Sequence, residues 1–110
     1  PGEAITADLP QETVKAYLEA TGDAAFLRLV APIHYLEAVN APMQIHIGEA
    51  DGEKLLHTPP EWSRKVYEAL QAEGKEVEFF SYPEQGHYFE SPAWGQFMNH
   101  ALAFFDEQLK

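Results

Sequence analysis

The stretch "KEVEFFSYPEQGHYFESP", residues 75–92, decides the fold, because a strand, a turn and a helix start follow one another within it. Its first half is rich in phenylalanine, tyrosine and valine, which favour strands, and proline and glycine then interrupt the pattern. Gly86 is expected to let the backbone turn sharply, so that His87 lies exposed at the rim of a sheet. Ser91 and Pro92 are typical of a helix start, with Ser91 as the N-cap.

The chain on either side continues this alternation. Upstream, "MQIHIG" (residues 43–48) alternates apolar and polar side chains as a strand does, and "TPPEWSRKVYEALQAEG" (58–74) has the apolar stripe of an amphipathic helix. Thr58 and Glu61 are spaced as a capping box at its start, and Gly74 is positioned to end it. Downstream, we expect a final helix whose apolar residues recur with a period near 3.6: Trp94, Phe97, Met98, Ala101, Leu102, Phe105 and Leu109. Its tryptophan and phenylalanine residues are expected to pack in a core.

The order of these elements predicts an α/β architecture. Residues 41–110 are predicted to run strand, helix, strand, helix, and this alternation favours two parallel strands joined by a right-handed crossover. Residues 1–40 are predicted to be a helical lead-in, with short helices in "LPQETVKAYLEATG" (9–22) and "DAAFLRLVAP" (23–32). We interpret residues 1–110 as a single segment.

Two ionisable residues follow the two predicted strands. Asp51 comes after the first strand and His87 after the second, and the carboxyl ends of parallel neighbours lie at the same edge of a sheet. A carboxylate that orients an imidazole is the acid and base part of a nucleophilic triad. An aspartate after a strand is also a common turn residue, and Glu49 and Glu53 are close alternatives for the acid. Tyr88 and Phe89 follow the histidine, where they either line a substrate pocket or pack beneath it.

Three stretches together resemble the C-terminal part of an α/β-hydrolase catalytic domain, in the prolyl-oligopeptidase-like family of serine peptidases and esterases. They are "APIHYLEAVNAPMQIHIGEAD" (31–51), "WSRKVYEALQAEGKEVEFFSYPEQGH" (62–87) and "FMNHALAFFDEQL" (97–109). The resemblance implies that Asp51 is the triad acid and His87 the triad base. It also implies hydrolysis of a peptide or an ester through an acyl-serine intermediate, without a cofactor.

The nucleophile of such a triad belongs on a GxSxG turn, and the sequence has no such motif. Ser63, Ser81 and Ser91 each have an ordinary structural interpretation, in a helix, in a strand and at a helix start. We therefore expect the C-terminal segment of a serine hydrolase, inactive alone, whose strands complete a larger sheet in the missing N-terminal part of the domain. The alternative is a non-catalytic interaction module, derived from a hydrolase, that self-associates through its exposed sheet.

Composition and charge narrow the function classes. Eighteen acidic and seven basic residues give a net charge of −11, which disfavours nucleic acids and anionic membranes as partners. No apolar run approaches the roughly 20 residues of a membrane span, and the stretch "PGEAITADLP" lacks the charged and apolar regions of a signal peptide. Without cysteine a cytoplasmic location is expected, and because the chain begins at Pro1 we expect it to be part of a longer protein. No metal site is expected, because the histidines outside the triad are scattered without ligand spacing: His34, His46, His57 and His100.

Overall fold

The computed structural model describes residues 10–53 and 58–110, which form four helices and two strands within those ranges. By contacts the chain divides into two compact units, Pro1–Leu36 and Glu37–Lys110. The elements in chain order are α1 (Gln11–Thr21), α2 (Ala24–Val30), β1 (Met43–Gly48), α3 (Pro60–Ala72), β2 (Val77–Tyr82) and α4 (Ala93–Gln108), with 3₁₀ turns at Pro32–His34 and Leu36–Ala38.

The first unit contains the two short helices that the sequence predicts. The carboxylate of Asp23 accepts a hydrogen bond from the Ala25 amide at 2.9 Å and so stabilises the start of α2. After that helix the Tyr35 hydroxyl donates to the Arg28 carbonyl at 2.5 Å. The predicted lead-in also includes residues 1–9, which lie outside the described residues.

In the second unit β1 and β2 pair in parallel, as predicted. Their register runs from Met43 opposite Val77 to Gly48 opposite Tyr82. Because successive side chains of a strand alternate between faces, the aliphatic residues of β1 share one face with Phe79. This face packs on α3, whose Tyr67 ring lies 5.0 Å from the Phe79 ring. The prediction of an α/β layer with parallel strands is therefore confirmed.

The start of α3 differs from the predicted capping box. Pro59 is at the N-cap position and makes no side-chain cap, so the pairing of Thr58 with Glu61 is wrong. Two consecutive prolines begin the helix, and the Thr58 amide instead donates to the Asp51 carboxylate. The other end follows the prediction, because Gly74 adopts a φ of +69° and Lys75 donates its amide to the carbonyl of Leu70, which is fully buried.

Two expectations about α4 differ from the structure. Ser91 is not its cap, because the helix begins at Ala93 and Pro92 is at the N-cap position. Of the aromatic residues expected in a core, Phe97 and Phe104 are half-buried, whereas Trp94 and Phe105 are exposed. Five apolar residues on one side of the helix are exposed, from 38% for Met98 to 81% for Leu109. We call these residues the apolar stripe of α4, which consists of Trp94, Met98, Leu102, Phe105 and Leu109. Within residues 10–53 and 58–110, no helix has both the length and the apolar character needed to cross a bilayer.

Candidate active site

The Asp51 carboxylate is fixed by two backbone amides, one adjacent in the chain and one seven positions downstream. Oδ1 accepts hydrogen bonds from the amides of Gly52, at 2.8 Å, and Thr58, at 3.1 Å. Gly52 has a φ of +88°, and a Cβ there would lie 2.8 Å from the Pro59 Cα, so glycine is required where the chain approaches itself. The Asp51 side chain is 12% exposed. Its carboxylate is thus held in one orientation.

The other oxygen of this carboxylate faces His87. Asp51 Oδ2 lies 2.9 Å from His87 Nδ1, although the two residues are 36 positions apart. Since an ionised carboxylate only accepts, the ring nitrogen donates. The His87 side chain is 41% exposed, whereas Asp51 lies beneath it. The structure therefore brings together the two residues that the sequence predicts to meet, and their catalytic roles stay predictions.

Backbone contacts connect the loops that carry these two residues. The Glu49 amide donates to the Tyr82 carbonyl at 3.0 Å, and the Ala50 amide donates to the Gln85 carbonyl at 2.9 Å. Gly48 lies directly beneath the second loop, because a Cβ there would come within 2.3 Å of the carbonyl oxygens of Gln85 and Gly86. The loop after β2 is therefore seated on the end of β1.

The expected role of Gly86 as the turning residue is wrong. A Cβ on Gly86 would meet nothing within 4 Å, and its φ is not positive. Glu84 instead adopts the left-handed conformation in this loop, with a φ of 61°. The position that requires glycine for steric reasons is Gly48, at the end of the neighbouring strand β1. This requirement comes from a tertiary contact and is not visible in the local sequence.

The two alternative acids have different surroundings. Glu49 forms an ion pair with Arg64, whose Nη2 lies 2.8 Å from Oε1 and 2.6 Å from Oε2. Hydrogen bonds from Arg64 and Ser81 lower the pKa of Glu49 below its ordinary value. Glu53 is exposed and lines a cavity of about 340 Å³ that His87 also borders. Asp51 is the member of this set for which a hydrogen bond to the His87 ring is resolved.

An apolar cavity adjoins His87 on another side. It has a volume of about 320 Å³ and is lined by His46, His87, Tyr88, Phe89, Trp94 and Phe97. Tyr88 is 80% exposed and its ring meets the His87 ring edge to face at 5.2 Å. Phe89 is half-buried, with its ring 4.7 Å from that of Tyr82. Both predicted pocket residues therefore line the cavity, and Phe89 also packs beneath it.

His46, for which the sequence indicated only that no metal site is expected, lies in a hydrogen-bonded environment that was not predicted. Gln44 donates to Glu78 at 2.6 Å, so its amide oxygen accepts from His46 Nε2 at 2.7 Å. Nδ1 of the same ring lies 3.0 Å from the Tyr82 hydroxyl. Burial, and then the nearby His100, lower the pKa of His46, and Glu78 acts in the opposite direction. Burial raises the pKa of Tyr82. The alternation of β1 already put His46 on the face opposite its isoleucines. This pattern was the one sequence feature that could have indicated its environment.

The serines of the chain differ in their distance from this site. Ser63 lines a cavity of about 210 Å³ that Asp51 and His87 also border. Ser81 lies in β2 and hydrogen-bonds Glu49, and Ser91 precedes α4. In the part of the chain that the structure describes, no group of three histidine or acidic residues is arranged to hold a metal ion.

Comparisons with known proteins agree with this architecture. Residues 6–110 match the model of the peptidase S9 family, described as the prolyl oligopeptidase family. A butyrate-bound thermophilic esterase from the planctomycete Thermogutta terrifontis superposes with a TM-score of 0.64 at 23% identity, over 97% of this chain and 39% of that chain. Thermogutta terrifontis esterase 2 phosphorylated by paraoxon gives 0.60 at 26% identity, over 73% of this chain and 32% of that chain.

The resemblance covers only part of each esterase. The chain spans less than two fifths of the length of the esterases it resembles. No curated protein gives a match. The predicted resemblance to the prolyl-oligopeptidase-like family is confirmed, and with it the assignment of the chain to the α/β-hydrolase fold.

Proposed function

Because the chain belongs to the prolyl oligopeptidase family, we propose that it supplies the acid and the base of a serine hydrolase triad. Asp51 is the acid and His87 the base, and the nucleophilic serine lies on a GxSxG turn outside these 110 residues. The observation that carries the proposal is the hydrogen bond of 2.9 Å between Asp51 Oδ2 and His87 Nδ1, at the carboxyl ends of two parallel strands.

The chemistry follows from the two ring nitrogens of His87. With Nδ1–H donating to Asp51, Nε2 carries the lone pair that accepts the serine proton as the serine oxygen attacks the substrate carbonyl. The imidazolium that forms is stabilised by the Asp51 carboxylate and then protonates the leaving group. A water molecule repeats the sequence on the acyl-serine, which releases the acid and the free serine. These 110 residues alone are expected to be inactive.

The substrate is a peptide or an ester whose acyl side fits the apolar cavity beside His87. Tyr88 and Phe89 give this cavity aromatic walls, which suit a short aliphatic or aromatic group. The similar esterase was solved with butyrate bound and, in another crystal, phosphorylated by paraoxon. Short acyl esters and organophosphates are therefore the first probes for this protein.

The test uses the full-length protein that contains these residues, with p-nitrophenyl butyrate as substrate and a fluorophosphonate as label. His87→Ala is expected to abolish turnover and labelling while the circular dichroism spectrum is retained. The matched control is His34→Ala, an exposed histidine of the first unit, which should keep wild-type activity. If His87→Ala retains most of the turnover, His87 is not the base.

The same label also examines the serines inside this chain. We expect no adduct on the 110-residue chain. Ser63 lines a cavity that Asp51 and His87 also border, but it lies on a helix and not on the sharp turn of a nucleophilic serine. An adduct on this chain that disappears in Ser63→Ala would mean that the nucleophile is Ser63 and that no upstream turn is needed.

A second candidate function is favoured by the apolar stripe of α4. A non-catalytic module derived from a hydrolase would cover this stripe and the open edges of its two-stranded sheet with a second copy of itself. In that case the full-length protein would form no fluorophosphonate adduct and would be a dimer. An adduct that depends on His87 decides for the hydrolase.

A further inference from the structure

We infer that Gly48 is a positioning residue, which sets the distance between the Asp51 carboxylate and the His87 ring because it has no side chain. The inference rests on the proposed function for its effect on rate, whereas its structural part stands on the geometry alone.

The first step is steric. Gly48 is buried at the last position of β1, and a Cβ there would lie 2.3 Å from the Gln85 oxygen, 2.3 Å from the Gly86 oxygen and 2.7 Å from the Gln85 carbon. All three atoms are backbone, so no side-chain rotation relieves the overlap. Ordinary contact begins at 3.4 Å, and any side chain at Gly48 therefore moves the loop by about 1 Å.

The second step is the short path from this contact to the two side chains. His87 follows Gly86 directly, and Asp51 lies three residues after Gly48. The hydrogen bond from the Ala50 amide to the Gln85 carbonyl ties the two loops together at the same point. A displacement at Gly48 is therefore transmitted to the hydrogen bond between Asp51 and His87, which is 2.9 Å long and has little tolerance for a further ångström.

The experiment compares Gly48→Ala with Gly95→Ala in the full-length protein. Gly95 is the matched control, because a Cβ there meets nothing within 4 Å and the residue lies in α4, where alanine is favourable. The readout is the low-field proton resonance of the His87 Nδ1–H, which is assigned by its loss in His87→Ala. Turnover of p-nitrophenyl butyrate is measured in parallel, well below the unfolding temperature.

Gly48→Ala is expected to lose or strongly shift this resonance and to lower kcat about 100-fold, the usual effect of a 1 Å misplacement, while Gly95→Ala retains both. A purely structural glycine would lower the unfolding temperature without changing the resonance of the folded protein, and that result overturns the inference. If His87→Ala stays active while Gly48→Ala loses the resonance, the proposed function fails and the positioning role stands.

A second variant keeps the test decisive if Gly48→Ala does not fold. Ala50→Pro removes the amide that donates to the Gln85 carbonyl and adds no atom at Gly48. It is expected to weaken the same resonance and to lower the same rate, because the hydrogen bond that joins the loops after β1 and β2 is lost. An unchanged resonance in folded Ala50→Pro contradicts the coupling between the loops.

Discussion

The backbone amide of Thr58 donates to Oδ1 of Asp51 over 3.1 Å, although the two residues are seven positions apart in the chain. Oδ1 also accepts from the Gly52 amide, so the carboxylate is oriented by donors that cannot change their hydrogen-bonding role. Oδ2 consequently faces His87. The arrangement fixes which atom of residue 51 meets the ring.

This orientation predicts the result of Asp51→Asn. The amides of Gly52 and Thr58 will hold the new side-chain oxygen at the Oδ1 position, so the NH₂ group will face His87. The ring must then accept at Nδ1 and carry its proton on Nε2, which is the wrong tautomer for a base. We expect kcat to fall by about 10⁴-fold with folding nearly unchanged, measured by steady-state kinetics on the full-length protein.

The matched comparison is Glu49→Gln, which changes the alternative acid in the same way. The carboxylate of Glu49 is bound to Arg64. The rate should therefore change less than about threefold, as for a surface substitution away from the reacting groups. A large loss in Glu49→Gln together with an active Asp51→Asn would exchange the roles of the two carboxylates.

The sequence predicts those features of the site that depend on local patterns, and it misses those that depend on contacts between residues far apart in the chain. The strand and helix periods and the two chain positions after the strands were sufficient to pair Asp51 with His87. The sequence pattern pointed to Gly86 as the required glycine, whereas the structure requires glycine at Gly48. The contact that requires it joins Gly48 to the backbone of Gln85 and Gly86, nearly 40 positions away along the chain. The predicted role of Thr58 as the N-cap of α3 was wrong for a similar reason. Its backbone amide donates to the carboxylate of Asp51, seven residues upstream.

The apolar stripe of α4 shows a second limit. Its periodicity correctly predicts a helix with one apolar face. The same periodicity occurs in helices that pack in a core and in helices that form an interface. The pattern carries no information about what covers that face, and in this chain Leu102 and Phe105 are both more than half exposed.

The neutral state of His46 leads to a prediction about pH. Burial and the neighbouring His100 lower its pKa in the folded protein, against the opposing effect of Glu78, and its ring is hydrogen-bonded to Gln44 and Tyr82. The unfolded chain therefore takes up this proton first as the pH falls below about 6.5. The stability contributed by neutral His46 is complete above that pH and is lost as the pH falls through the lowered pKa of the folded state.

The measurement is the urea midpoint of unfolding at pH 7.5 and at pH 5.5. We expect the decrease between these pH values to be smaller in His46→Gln than in the wild type. The decrease in His34→Gln, at an exposed histidine, should equal that of the wild type. An equal decrease in all three proteins would mean that His46 titrates alike in the folded and unfolded states.

The apolar stripe of α4 also predicts how these 110 residues behave when they are separated from the rest of the protein. The exposed apolar side chains of the stripe form a row along α4 that ends at Leu109, the residue after the helix, and such a surface is normally covered. The isolated chain is therefore expected to self-associate at micromolar concentration. Leu102→Glu adds a charge within the row and should shift the chain toward the monomer in multi-angle light scattering. Ala103→Glu adds the same charge one position along, on the polar side of α4, and should leave association unchanged. A monodisperse wild-type monomer, or equal effects of the two substitutions, would show that this face does not drive association.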